Sequence, residues 1–427
     1  MSRLVLLSLL IYGLVLLGLA TLRGELLALA IPPIVYLGAG LLYRPHLPRL
    51  QATRTLSTAH ATPGQPVVVR LAITNEGAPL ETLLIEDRIP PSLTVVGGQT
   101  RMLAPLATGA TVVLEYTVAG PRGSYHFAEV QLMAGDLLGI ATRRSTLMAP
   151  GQLFVLPEVI RLRRAEIRPR RTGIYAGQIA ARQGGPGVEF FGVREYQPGD
   201  SARWINARAS ARHPHTLFVN EFEQERAADV GMILDVRQRS DAVTAAGRLL
   251  EYGILAAAAL ADVFLARGNR VGLLMYGGGL DWTFPGYGKV QRERILRALA
   301  RAEPGESMVF EALSELPTRL FPARSQLVLI SPLIEDDLAV LRRLRARGYR
   351  LLVISPDPIA FERAAFRAER AVELATRIAT LERELLLRRL RQAGIQVVNW
   401  RVETPFAQVA HVALSRAPLG VHVQFER

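Results

Sequence analysis

Residues 187–225 read GVEFFGVREYQPGDSARWINARASARHPHTLFVNEFEQE, and an apolar strand ending in an aspartate, VGMILD (230–235), follows almost at once. From that strand onward two periods alternate. Buried-strand runs at 230–234, 270–276, 326–330, 349–355 and 395–399, with a short edge strand at 281–284, are interleaved with helical patterns. The helical patterns fall at 241–267, 289–302, 307–320, 336–347, 361–392 and 405–414. This alternation predicts a doubly wound, largely parallel α/β sheet over 229–427, with its ligand site beyond the carboxyl ends of the strands. The charged run sets arginines and carboxylates around a Pro198-Gly199 turn. Arginine pairs bidentately with carboxylate, so Arg194, Asp200, Arg203 and Arg212 are expected to lock this segment (158–228) against the neighbouring domain, ahead of gripping a partner. Arg161, Arg163, Arg164, Arg168, Arg170 and Arg171, crowded at its start, read as a solvated connector.

Toward the N-terminus the period changes to two over 51–157. Val67, Val69, Leu71 and Ile73 alternate with Val68, Arg70, Ala72 and Thr74, then Asn75-Glu76-Gly77 supplies a turn. Further strand-like runs at 82–85, 111–118, 125–133 and 151–156, punctuated by Pro and Gly, predict an all-β sandwich of immunoglobulin-like type. It reads as a structural or docking module, with Asp87 and Asp136 as turn residues and His60 and His126 isolated. The first 45 residues read as a transmembrane helical hairpin. Runs at 4–22 and 26–43 are long enough to cross a hydrocarbon core of ~30 Å, and Pro32 and Pro33 should kink the second without abolishing it. A cleaved signal peptide is disfavoured because a second apolar run follows directly. Arg3 precedes the hairpin and Arg44, Arg49 and Arg54 follow it, whereas the connecting turn is neutral. The positive-inside bias therefore puts the soluble domains in the cytoplasm, on a multi-pass protein of the cell inner (plasma) membrane in contact with the lipid bilayer.

At 427 residues the chain has room for two or three domains, and its net charge of +13 is almost wholly arginine, with Lys289 the only lysine. No aromatic-interleaved basic motif or zinc-finger spacing supports nucleic-acid binding. The absence of cysteine excludes disulfides, thiolate metal sites and cysteine nucleophiles.

The block REYQPGDSARWINARASAR (194–212), followed by VNEFEQE and VGMILD, resembles the domain-of-unknown-function 58 family. These are bacterial membrane proteins with a von Willebrand factor A-like domain, commonly encoded beside MoxR-type AAA+ ATPases. Arg194, Glu195, Tyr196, Gly199, Asp200, Arg203, Ile205, Ser210, Ala211 and Arg212 match the family motif in order, whereas Asn206-Ala207 replaces its usual aspartate-tryptophan pair. The two N-terminal apolar helices, PRG at 121–123 and a DxxG element at 136–139 are also typical. The resemblance implies a von Willebrand A-like fold for the α/β part and a MoxR-type ATPase as partner. In such domains the first strand's aspartate opens a DxSxS motif that holds a divalent cation through hard oxygen ligands. Here Asp235 keeps the first position, but Arg237 and Arg239 replace the hydroxyl ligands. Guanidinium groups donate hydrogen bonds and offer no lone pair. The loop at 285–290 has no threonine, and Ser331-Pro332 follows the next major strand, with Glu335 and Asp336 further on. The expectation is a degenerate site without metal, a guanidinium pairing with Asp235. A shifted site at Ser240 and Asp241 has the wrong spacing.

Enzyme patterns are weak. His213 and His215 lack a third zinc ligand, Ser210 lacks a base, and no GxSxG is present. Neither 184–192 nor 286–290 has the context of a nucleotide-binding loop. On the 361–392 helix, Glu362, Arg363, Glu369, Arg370, Glu382, Arg383 and Glu384 read as intrahelical pairs, with an exposed partner-binding helix as the alternative. The chain is thus expected to be a membrane-anchored, cytoplasm-facing, non-catalytic adaptor or scaffold without cofactor, working with a MoxR-type AAA+ ATPase in protein or complex assembly or maturation. The alternatives are a Mg²⁺-dependent ligand-binding A domain and a cell-envelope hydrolase.

Overall fold

In the computed structural model the chain divides into two compact units, 1–156 and 157–427. The residues described are 3–42, 49–135, 142–162, 179–213, 215–226, 228–307, 317, 320–322, 325–367 and 369–414. Arg163, Arg164, Arg168, Arg170 and Arg171 of the basic connector, Asp136 with its DxxG element, and most of the helix expected at 307–320 lie outside them.

The first unit opens with two short apolar helices, α1 (Arg3–Thr21) and α2 (Gly24–Leu42). They pack on each other, with Gly18 of α1 allowing Leu27 to approach so closely that an added Cβ would stand 2.9 Å from it. Leu9, Leu16 and Leu19 on α1 and Leu29, Ile31 and Val35 on α2 stay exposed, an outer surface that suits lipid and is consistent with a membrane anchor. Pro32 and Pro33 sit inside α2.

Nine strands follow: β1 (Leu50–Leu56), β2 (His60–Ala61), β3 (Val67–Asn75), β4 (Leu80–Asp87), β5 (Thr94–Gly98), β6 (Arg101–Leu106), β7 (Thr111–Ala119), β8 (Gly123–Gly135) and β9 (Thr142–Val155). They form a four-stranded sheet, β1-β3-β7-β5, and a five-stranded sheet, β2-β9-β8-β4-β6. The period-two pattern works as alternation should: Val67, Val69, Leu71 and Ile73 are buried, and one apolar core is filled from both sheets. Asp87 is a correction. It is no turn residue but a buried carboxylate, 2.5 Å from Arg54 and accepting a 2.7 Å hydrogen bond from the Tyr116 hydroxyl. Arg54 also donates to the Ala149 carbonyl and lies over the Phe127 ring. Burial pushes the Asp87 carboxyl up, against the opposing pull of Tyr116 and Arg54.

The second unit begins with an antiparallel ribbon, β10 (Ile179–Glu195) paired with β11 (Phe218–Arg226). Between its strands lies a one-turn helix, α3 (Ala207–Ser210). The glycine-rich stretch 184–192 thus lies within a strand. Register shifts at 181/184, 185/190 and 190/192 absorb its Gly and Pro residues as bulges. Then come β12 (Asp229–Asp235), the small pair β13 (Val243–Thr244) and β14 (Gly247–Arg248), α4 (Leu249–Ala266), β15 (Arg270–Tyr276), β16 (Leu280–Gly286) and α5 (Gly288–Ala300). The helix expected from 241 thus starts only at Leu249, because Asp241 accepts from the Arg248 guanidinium and from the Leu250 amide and so closes a turn ahead of it. The unit ends with β17 (Gln326–Ile330), α6 (Asp337–Ala346), β18 (Arg350–Pro356), α7 (Pro358–Arg363), α8 (Arg370–Gln392), β19 (Gln396–Trp400) and α9 (Phe406–Leu414). The single helix expected at 361–392 is two, the first capped by Asp357 with Pro358 at its start.

These strands make one sheet in the order β16-β15-β12-β17-β18-β19, parallel except for β16 at one edge. Successive residues on β12 face opposite sides. Ile233 joins a core with Leu341 of α6 and Leu390 of α8, while Leu234 lies near Gly253 of α4. Helices therefore cover both faces. Helix α4 has the length and apolarity of a membrane span, but 72% of it is buried inside the unit.

Candidate functional site

The chain runs from β12 outward to β15 on one side and returns to β17 on the other. The carboxyl ends of β12 and β17 thus frame the topological switch point, where open α/β sheets bind their ligands. Four buried polar side chains meet there: Asp235 at the end of β12, Arg237 just beyond it, Ser331 after β17 and Asp337 at the start of α6. The Arg237 guanidinium lies between the carboxylates. It donates to Asp235 through Nε (2.8 Å) and Nη2 (2.7 Å), and to Asp337 through Nη1 (3.1 Å) and Nη2 (2.9 Å). Ser331 Oγ donates to Asp235 at 2.7 Å and accepts from the Leu333 amide, and the Ile334 amide donates to Asp337. Every component is under 4% exposed, so the charges are fully desolvated. Burial opposes the charge on Arg237, but the hydrogen bonds it donates to both carboxylates outweigh it and hold its pKa above the ordinary value. Burial raises the Asp337 carboxyl, with Arg237 pulling the other way.

The backbone is built to hold this arginine. Val236 N donates to the Tyr276 carbonyl, Gly305 N donates to the Val236 carbonyl, and Gln238 N donates to the Gly305 carbonyl. A Cβ on Gly277 would stand 2.4 Å from the Val236 oxygen. The space left beside Asp235 is ≈ 10 Å³, about what one water needs. Both oxygens of Asp235 are already engaged, and a divalent ion there would meet the guanidinium, so the donor set does not fit a metal. Among the described residues no cluster of His, Cys, Asp or Glu has metal-holding geometry.

Arg239 lies 3.9 Å from the exposed Asp336. Glu335 faces Arg389 instead, and Ser240 donates to the Arg237 carbonyl. Asp337 was not among the residues picked from sequence. Arg383, expected as an intrahelical partner, is instead a buried hub. It donates to the Pro332 carbonyl (2.7 Å), Ser355 (2.9 Å) and Asn399 (2.8 Å), with Asp357 at 3.5 Å. Burial lowers its pKa, partly offset by Asp357. It fastens α8 across the ends of β17, β18 and β19.

The charged block forms a separate cluster. Arg194 pairs bidentately with Asp200 (2.8 and 2.7 Å), also donates to the Glu195 carbonyl, and lies 3.6 Å from Glu221. Asp200 accepts from the Gln197 amide, closing a turn in which Gly199 has φ +108°. The Arg194 hydrogen bonds hold the Asp200 carboxyl below its ordinary value. The expected four-residue lock is therefore a two-residue one. Arg203 stacks over Trp204 at 5.4 Å, and Arg212, Glu195 and Tyr196 are exposed. Asn206 caps α3 through its side-chain oxygen and donates its amide to Asn220, a double role that a carboxylate there could not fill with Asn220 so oriented. Ser210 accepts from the Phe218 amide, and the His213 ring lies against Phe218.

Residues 192–358 match the family model described as "Protein of unknown function DUF58". The chain is 27% identical over 317 residues to uncharacterized protein YeaD of Bacillus subtilis (strain 168), covering 72% of this chain and 76% of that protein. It is 28% identical over 148 residues to uncharacterized protein Rv1480 of Mycobacterium tuberculosis (strain ATCC 25618 / H37Rv), covering 34% and 46%. Among solved structures, a CARDB domain from Pyrococcus furiosus aligns with 25% of this chain and 93% of its own at 12% identity and a TM-score of 0.20, too low to bear on the fold. The match to the DUF58 model over residues 192–358 thus spans both the Arg194–Asp200 turn and the arginine-filled switch point.

Proposed function

We propose that this chain is a membrane-anchored, non-catalytic adaptor or scaffold that works with a MoxR-type AAA+ ATPase in the assembly or maturation of proteins or complexes. In this reading α1 and α2 cross the cell inner membrane and the soluble units face the cytoplasm. The two-sheet unit is an immunoglobulin-like docking module, and the six-stranded unit is a von Willebrand A-like domain in which Arg237 replaces the metal. The observation that supports it is the guanidinium held between Asp235 and Asp337. A doubly wound sheet takes its ligand at the switch point, and here that position is filled from within. What remains for recognition is outer surface, including the exposed Arg203 and Arg212 beside the Arg194–Asp200 turn.

Affinity purification of the full chain from native membranes tests the partnership. An AAA+ ATPase is expected in the eluate, and its depletion in an Asp200→Ala variant of unchanged stability would mark the turn as part of the contact. An eluate without any such ATPase sinks the reading. Calorimetric titration with Mg²⁺ or Mn²⁺ tests the metal-free domain: micromolar binding that disappears in Asp235→Ala would overturn it.

A further inference from the structure

The face of α8 opposite its packed side carries Leu374, Ile378, Leu381 and Leu385, which are 59%, 51%, 62% and 52% exposed. On the inner side Arg383, Leu387 and Leu390 are buried. The outer residues follow one another at steps of four, three and four, the a/d repeat of a coiled coil. Leu374 and Leu381 take d positions, and Ile378 and Leu385 take a positions. Ile378 supplies a β-branched residue at one a position and leucine fills both d positions, a combination that favours two parallel strands, while Leu385 at the other a position is neutral to it.

The flanking charges select the partner. Arg377 and Glu384 occupy g positions, and Glu382 and Arg389 occupy e positions. In a parallel pair each g residue meets the following e residue of the other helix. Arg377 then faces Glu382 of the second copy and Glu384 faces Arg389 of the second copy, so both contacts join opposite charges. An antiparallel pair sets Arg377 against Glu384 but leaves Ala375 opposite Glu382. Within one copy, Glu384 lies 3.6 Å from Arg388 and Arg389 lies 3.5 Å from Glu335. These exposed pairs are worth little and exchange readily. Among the described residues no ion pair is found for Arg377 or Glu382.

We infer that α8 is a self-association seam, on which a second copy of this chain docks through a parallel two-heptad contact. The seam goes beyond the proposed adaptor role, is read from α8, and takes from that role only the membrane anchor that brings copies together. Two heptads are short for a free coiled coil. Copies held in one membrane by α1 and α2 meet at a raised effective concentration, which suits a contact of this length.

The chain contains no cysteine, so a single introduced thiol reports only on a second copy. In membranes carrying the full chain, oxidation of Leu381→Cys is expected to give a disulfide-linked dimer, because facing d positions lie within the ~6 Å Cα separation a disulfide accepts. Glu373→Cys, on the same helix but off the stripe, is expected to stay monomeric. Adding Arg377→Glu to Leu381→Cys is expected to abolish the crosslink, and adding Glu382→Arg as well to restore it. Equal crosslinking of the two thiols would overturn the seam, as would a charge swap that restores nothing. Crosslinking confined to mixtures of Ile378→Cys with Leu381→Cys would overturn the parallel arrangement. None of these readouts depends on whether an ATPase co-purifies.

Discussion

At the scale of single residues, the heart of the second unit's site is one guanidinium between two buried carboxylates. Arg237→Met leaves Asp235 and Asp337 without a counter-charge, and a loss of about 3–5 kcal/mol is expected. Chemical denaturation should show it as a lower midpoint at unchanged slope. The reverse experiment vacates the position and supplies oxygen. In Arg237→Ser/Arg239→Ser the guanidinium between Asp235 and Asp337 is gone and the DxSxS spacing from Asp235 is restored, so Mn²⁺ or Mg²⁺ is expected to raise the thermal midpoint of the double variant and leave the native protein unmoved. A double variant equally blind to both ions would show that these oxygens do not converge on a metal. The Arg194–Asp200 turn carries a pH prediction. The Asp200 carboxyl is held below its ordinary value by Arg194, so its contribution is complete above pH ~4 and is lost as pH falls through the lowered value. Amide exchange at Gln197 should accelerate only in that acid range, and Asp200→Asn should remove the transition. Asp337 has the opposite sign: burial raises it, so its ionisation takes stability away as pH rises above ~4.

At the scale of elements, two local devices can be checked by stability. Asn206→Ala removes the cap of α3 and is expected to cost about 1 kcal/mol, with the loss confined to the 196–217 excursion in hydrogen exchange. Gly277→Ala drives a methyl into the Val236 carbonyl beside Arg237 and is expected to lower the thermal midpoint of the whole second unit. This scale also shows what the sequence makes legible. Buried parallel strands announce themselves as unbroken apolar runs, so β12, β15, β17, β18 and β19 are readable, and so is the aspartate that ends β12. Arginine at 237 is visible as a misfit for a metal. Its second carboxylate is not, because Asp337 is 100 residues away and looks like any acid in the first turn of a helix. Arg383 is hidden by its surroundings: among glutamates and arginines at helical spacing, nothing local separates the one that turns inward. Asp87 reads as a turn residue because its partners, Arg54 and Tyr116, come from other strands of the β-rich unit. The ribbon strand β10 is obscured by its own glycines, which only a bulged register reconciles with pairing.

At the scale of the molecule, a pair of apolar helices opens the first of two compact units, and the proposed reading puts the rest of the chain on one side of the membrane. A reporter fused to the C-terminus that fluoresces only in the cytoplasm should be bright. One active only outside the membrane should be silent, and the opposite pair of results would place these units in the envelope space. The built-in cation also changes how the protein answers its surroundings. A bound ion obeys mass action: chelators strip it, scarcity empties its site, and abundance fills it. A guanidinium on the main chain has no dissociation constant with its own protein. If the site is metal-free as proposed, the conformation around Asp235 is set by the fold itself and does not follow the magnesium concentration around the protein.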